Sequence, residues 1–150
     1  MYSIIKKYDT NIIEKLRCDK YEIEHYEDGT VKCIKYINDD NKVHRDNAPA
    51  MICFHMNGIL SKYIYFKNDE WHRENGPAYI DYDENGVLKS EAYCINGIRH
   101  REDGPAIIKY EDDGKTIFRA LYYLNDIKIE DELKILTIIA GTDYKVNYND

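Results

Sequence analysis

Long apolar runs are missing from this chain. The longest, around Leu133 to Ala140, is far short of the roughly 20 residues a helix needs to cross a bilayer, so no contact with membrane is expected. The opening MYSIIKKYDTN lacks the apolar stretch of a signal peptide and no N-x-[ST] sequon occurs, which points to a cytoplasmic protein. Basic charge is not in excess either. Lys and Arg total 21 against 28 Asp and Glu, a net charge of -7 with both signs interspersed, which argues against unaided binding to nucleic acid or anionic lipid. Cys18, Cys33, Cys53 and Cys94 have irregular spacings and no C-x-x-C pair, so neither a zinc knuckle nor a disulfide framework is predicted. All four are expected as reduced thiols, mostly buried. Catalytic signatures are absent as well: Ser3, Ser61 and Ser90 lie in no G-x-S-x-G elbow, and DDGKT at 112–116 lacks the upstream glycine of a phosphate loop, position 109 being lysine. The expectation is a protein that is not an enzyme and carries no cofactor.

Proline is scarce, and its placement is informative. Pro49, Pro77 and Pro105 each sit in one recurring phrase: HRDNAPA from 44, HRENGPA from 72 and HREDGPA from 100, so His44, His72 and His100 are spaced by 28 residues. After the phrase comes an alternating run, then an Asn-Gly or Asp-Gly pair, then a second β-type run and a second turn pair. Two such runs separated by Asn-Gly are a hairpin signal, because a type I′ turn needs positive φ at both central residues. Turns are predicted at Asp28-Gly29, Asn57-Gly58, Asn85-Gly86 and Asp113-Gly114, alternating with Asn38-Asp39, Asn68-Asp69, Asn96-Gly97 and Asn125-Asp126.

In the first strand of each copy, Ala50, Ile52 and Phe54 share a face, as do Ala78, Ile80 and Tyr82, and Ala106, Ile108 and Tyr110. One face is therefore expected buried and the other wet. The fold predicted is all-β: an elongated, twisted antiparallel meander of eight strands, two per repeat, with a short C-terminal capping helix. Residues 1–150 form one domain. It divides into an N-terminal cap at 1–14, leaning to strand, a degenerate repeat at 15–43, repeats at 44–71, 72–99 and 100–128, and a helical cap and tail at 129–150. In the helix, Asp131 is the predicted N-cap, Gly141 the stop, and Leu133, Leu136, Ile139 and Ala140 the inward side.

The repeated His-Arg-Glu-Asp-Gly-Pro-Ala phrase resembles that of the HREDGPA-repeat proteins of large DNA viruses, phages and some bacteria, over about 44–131. More distantly, the hairpin-per-repeat plan resembles the MORN group, whose own repeats are shorter and carry a tyrosine-glycine pattern. The resemblance implies a β-meander scaffold, virus- or phage-encoded, that engages a host factor or a viral complex. Heavy use of Ile, Asn, Lys, Asp and Tyr agrees with an AT-rich genome.

Candidate residues follow from the repeat. Equivalent histidines lie two strands apart, about 9–10 Å, which is too far to share one zinc, so no metal site is expected. Arg45, Arg73 and Arg101 are each followed by an acid, Asp46, Glu74 and Glu102, and read either as ion pairs holding repeats in register or as a row gripping phosphates or carboxylates. His44, Arg45, His72, Arg73, Gly76, Pro77, His100, Arg101, Gly104 and Pro105 are assigned to repeat structure. Tyr36, Tyr65 and Tyr93, seventh after each turn glycine, with Tyr122 after one inserted residue, form a ladder. It is either an aromatic packing layer or, with Tyr63, Phe66 and Tyr123 nearby, a solvent-facing contact stripe. Trp71 either packs on Pro77 or an arginine, or joins that stripe. Two functions follow: a protein-interaction scaffold, capable of dimerising through an open sheet edge, and a small-ligand module holding a nucleotide or peptide on a concave Arg/Tyr face.

Overall fold

The computed structural model describes residues 20–140. The first fourteen residues, Cys18 and Gly141 lie outside them. Alternating β-branched and aromatic residues between turn pairs give antiparallel strands, and nine of these make one open meander. In chain order and in space these are β1 (Lys20–His25), β2 (Val31–Ile37), β3 (Met51–Phe54), β4 (Leu60–Ile64), β7 (Tyr79–Tyr82), β8 (Leu88–Ala92), β11 (Ile107–Tyr110), β12 (Ile117–Leu124) and β13 (Ile127–Ile129). Two ladders of two residues a side stand apart: β5 (Phe66–Lys67) with β6 (Glu70–Trp71), and β9 (Cys94–Ile95) with β10 (Ile98–Arg99). The expected plan of two strands per repeat is thus extended. After its second turn each repeat folds a short third segment back onto the end of its second strand, as the pairs Phe66 with Trp71, Cys94 with Arg99 and Tyr122 with Ile129 show.

Register carries the apolar pattern across the sheet. Directly paired residues point to one side. Ile23, Ile34, Ile52, Tyr63, Ile80, Glu91, Ile108 and Ala120 therefore form one row. Ile80 and Ile108 are buried, each stabilising the sheet by about 1.5–3 kcal/mol. One step along the strands, Ala50, Ala78 and Ala106 are 0% exposed, a depth that only a small side chain reaches beneath what crosses them. The opposite face is not simply wet, as expected from alternation alone. Ile64 and Ala92 are buried there, in the row that holds Met51, Tyr79 and Ile107.

The turns fall into two kinds, which corrects the single type predicted. At Asn68-Asp69, Asn96-Gly97 and Asn125-Asp126 both residues have positive φ, the signature of type I′. At the other set only the glycines do, with φ of 84° at Gly29, 80° at Gly58, 79° at Gly86 and 65° at Gly114. There the glycine N–H bonds the carbonyl three residues back and the register shifts beside it, giving a type I turn closed by a glycine bulge. The dipeptide serves both geometries, and the number of loop residues decides between them. The turn expected at Asn38-Asp39 is wider, running to Lys42 with Asn41 at φ 58°.

Two further expectations are revised. Cys33 and Cys53 are directly paired in β2 and β3, with Cα atoms 4.1 Å apart, and are joined by a disulfide instead of being reduced thiols. Cys94 is a buried free thiol whose pKa burial raises to about 11, so it is inert. The helix α1 (Glu132–Ala140) starts where predicted, with Asp131 Oδ1 accepting from the N–H of Leu133 (2.9 Å) and Lys134 (3.2 Å). Its faces are the reverse of the expectation: Ile138 is 7% exposed, whereas Leu133, Leu136 and Ile139 are 71%, 61% and 58% exposed. In KILTIIA apolar residues recur on two overlapping stripes, and the one that holds Ile138 is the buried one.

Gly86→Val tests the bulge. A β-branched side chain resists φ of 79°, so a loss of about 1–2 kcal/mol and a Tm lower by several degrees are expected in thermal unfolding. An unchanged Tm would remove the positive φ from this account.

Candidate functional site

The repeated phrase builds a clasp between neighbouring repeats. The His44, His72 and His100 N–H groups bond the carbonyls of Tyr36, Tyr65 and Tyr93 in the preceding repeat. The next residue turns the other way: the N–H of Arg45, Arg73 and Arg101 bonds the carbonyl of Phe66, Cys94 and Tyr123 in the arginine's own repeat. His-Arg is therefore the point where the chain changes partner.

Both side chains reinforce the change. Nδ1 of His44, His72 and His100 accepts the turn N–H of Asn68 (3.2 Å), Asn96 (3.1 Å) and Asn125 (3.2 Å). An accepting Nδ1 leaves the ring proton on Nε2. That nitrogen faces Asp46 at 3.3 Å, Glu74 at 4.0 Å and Glu102 at 3.5 Å. The acid after each arginine thus serves the histidine, not the arginine as expected from sequence.

The guanidinium lies over the tyrosine ladder. Arg45, Arg73 and Arg101 Cζ stand 3.9, 4.0 and 3.9 Å from the ring centres of Tyr36, Tyr65 and Tyr93. A desolvated contact of this kind contributes up to about 2 kcal/mol. Nη1 of Arg73 and Arg101 donates to the carbonyl of Pro77 (3.2 Å) and Pro105 (3.4 Å). A Cβ on Gly76 or Gly104 would stand 3.1 Å from the guanidinium carbon, so glycine is what lets the loop close over it. The residues of the phrase thus divide the work of joining repeats. Histidine holds the next turn, arginine covers the tyrosine, glycine leaves room, proline offers a carbonyl and alanine fits beneath.

The predicted contact residues are divided by this arrangement. Tyr36 is buried under Arg45, and Tyr65 and Tyr93 are half-buried under theirs. Tyr122 is half-buried with no cation over it among the described residues, and its neighbour Tyr123 is buried beneath Arg99 at 4.1 Å. Trp71 stacks on Tyr79, centres 5.0 Å apart, not on Pro77 or an arginine, and so covers the opposite face of the sheet. Glu91 breaks the apolar row and accepts a hydrogen bond from the Tyr110 hydroxyl at 2.8 Å. Among the described residues, no group of three or more His, Cys, Asp or Glu is placed to hold a metal ion. In DDGKT, Asp113 accepts from the Thr116 hydroxyl and from the Lys115 and Thr116 N–H groups, an ordinary turn that holds its carboxyl down at about 2.

Comparison with family models, with curated proteins and with solved structures finds no match. The site is therefore read from its own geometry.

Two clefts separate successive clasp loops. One of about 610 Å³ lies between the loops of Arg73 and Arg101, floored by Tyr93 and Ile95. Another of about 320 Å³ lies between those of Arg45 and Arg73, floored by Tyr65 and Phe66. Arg73 borders both. Sequence reasoning missed the difference between the arginines. Asp103 binds Arg101 Nε at 2.7 Å, which lowers the Asp103 pKa, but the residue in the same place beside Arg73 is Asn75. That substitution is visible in HRENG against HREDG, yet only the paired geometry shows that it matters.

Two outcomes are expected. Gly76→Ala should cost about 1–3 kcal/mol, because Gly76 has φ of 134° as well as the crowded guanidinium, whereas Gly104→Ala, without a positive φ, should cost clearly less. Equal losses in urea unfolding would refute the backbone part of this account. Burial raises Tyr63, Tyr79 and Tyr110 to about 12, helped by the Tyr82 hydroxyl, Asp81 and Glu91 respectively. The unfolded chain releases these protons near 10.0, so their contribution to stability is complete below pH 10 and is lost as pH rises through about 12. Phenolate absorbance should show a late-titrating group of tyrosines whose ionisation coincides with loss of the β circular-dichroism signal.

Proposed function

We propose that the chain is a non-enzymatic scaffold that binds another protein, and that α1 provides the principal contact. The observation that supports this is the outward stripe of Leu133, Leu136 and Ile139 on α1. Apolar residues at this spacing fit the helix-in-groove mode of recognition. The side chains of the repeated phrase, by contrast, are engaged in joining one repeat to the next. The resemblance of that phrase to viral and phage repeat proteins supports a virus- or phage-encoded scaffold engaging a host factor or a viral complex. Such a protein would work in the host cytoplasm, where the Cys33–Cys53 bond would be reduced. No helix among the described residues is long and apolar enough to cross a membrane. The outer edge of β1, unpaired among the described residues, offers a second copy a strand to dimerise with.

The clefts beside Arg73 favour a second reading, a module that holds a nucleotide or peptide against the Arg/Tyr surface. One experiment separates the two. Immobilised protein is expected to retain a defined partner from host extract, and Leu136→Asp to lose it at least about tenfold, with stability changed by no more than about 0.5 kcal/mol because the side chain is already in water. Undiminished retention by the variant, or a rise in Tm with nucleotide and no protein retained, would overturn the scaffold reading.

A further inference from the structure

We propose that Arg73 is a receptor for a single carboxylate, supplied by a Glu or Asp side chain of the polypeptide that the scaffold binds; this rests on the interaction reading above. Three arginines share one framework, and two of them can be compared in full. Arg101 stacks on Tyr93, donates Nη1–H to Pro105 O and donates Nε–H to Asp103. Arg73 stacks on Tyr65 and donates Nη1–H to Pro77 O, but its Nε–H has no acceptor among the described residues, because Asn75 stands where Asp103 would. The Nε and Nη2 edge of a guanidinium is a fixed two-donor fork matched to a carboxylate. Tyr65 on one face and Gly76 on the other hold the Arg73 guanidinium in place, so little side-chain freedom remains to be lost on binding.

The cleft fixes the class of anion. Its acids already have neighbours: Glu74 faces His72, Glu102 faces His100 and Asp103 binds Arg101, which leaves Arg73 as the cation of the larger cleft without a carboxylate. Those three acids and the overall charge of -7 repel a phosphate or a polyanion more strongly than a singly charged carboxylate, so rejection of the wrong ligand is part of the site. The volume of about 610 Å³ accommodates a side chain with its flanking backbone and lies in the range of ordinary ligand sites. A carboxylate entering here would complete at Arg73 the pairing that Asp103 already completes at Arg101.

The repeat supplies its own controls. Full-length protein would be titrated with acetyl-Gly-Glu-Gly-amide while the arginine Nε–H resonances are followed by NMR. The Arg73 signal is expected to shift saturably, with the Gln peptide and inorganic phosphate giving little effect. Asn75→Asp places a carboxylate on the fork and should weaken the titration by at least about tenfold, with Tm unchanged or raised. Asp103→Asn should do the reverse and bring the Arg101 signal into the titration as a second site. Equal response to the Gln peptide, tighter binding of phosphate, or an Asn75→Asp protein that titrates like wild type would each overturn the assignment. Partner retention undiminished in Asn75→Asp would likewise sink it and leave the scaffold standing. Retention lost in Asn75→Asp but kept in Leu136→Asp would keep the receptor and reject α1 as the contact.

Discussion

The arginine held between a tyrosine ring and its own Gly-Pro backbone is the contact on which the rest of this structure depends. A meander has no layer of helices to cover it, and a single sheet would leave its central rows in water. Here the covering is made by the loops between repeats. Each arrives over the alanine and tyrosine row carrying a flat cation that excludes water from the ring beneath. Lysine would not replace it, since a compact ammonium neither stacks on the ring nor reaches the proline carbonyl from an edge.

Because the histidine and arginine that open each repeat bond the last turn and strand of their own repeat and also the tyrosine of the repeat before, cohesion passes along the array in nearest-neighbour steps. Among the described residues such an array has two ends that no repeat completes. At one stands β1, exposed along all six residues. At the other, β13 and α1 take over where the His-Arg pair no longer recurs, and among the described residues no cation lies above Tyr122. Exposed apolar residues therefore gather at the ends, and the clefts lie between the loops.

Much of the fold was legible in the letters. The exact return of His-Arg and Pro-Ala marked the repeat, Asn-Gly and Asp-Gly marked the hairpins, and Asp131 marked the helix start, each through a local preference that acts within a few residues. The tyrosine ladder was legible as a ladder. That Tyr36, Tyr65 and Tyr93 would lie under cations was not, because ring and guanidinium come from segments eight or nine residues apart whose meeting depends on how the loop folds back. The third strand segment of each repeat was also hidden, since two residues are too few to show a period.

By itself the sequence determined what alternation and turn chemistry determine: an antiparallel hairpin array, its spacing, and which residues belong to the repeated phrase. Tertiary structure alone decided which cysteines meet across β2 and β3, which stripe of α1 faces water, which glycines sit in bulges, and that Asp103 takes the Nε edge of Arg101 while no described residue takes that of Arg73. The reason is one of range. A residue's conformational preference acts on its near neighbours along the chain, whereas these outcomes depend on groups that become neighbours only when strands pair and loops close over them.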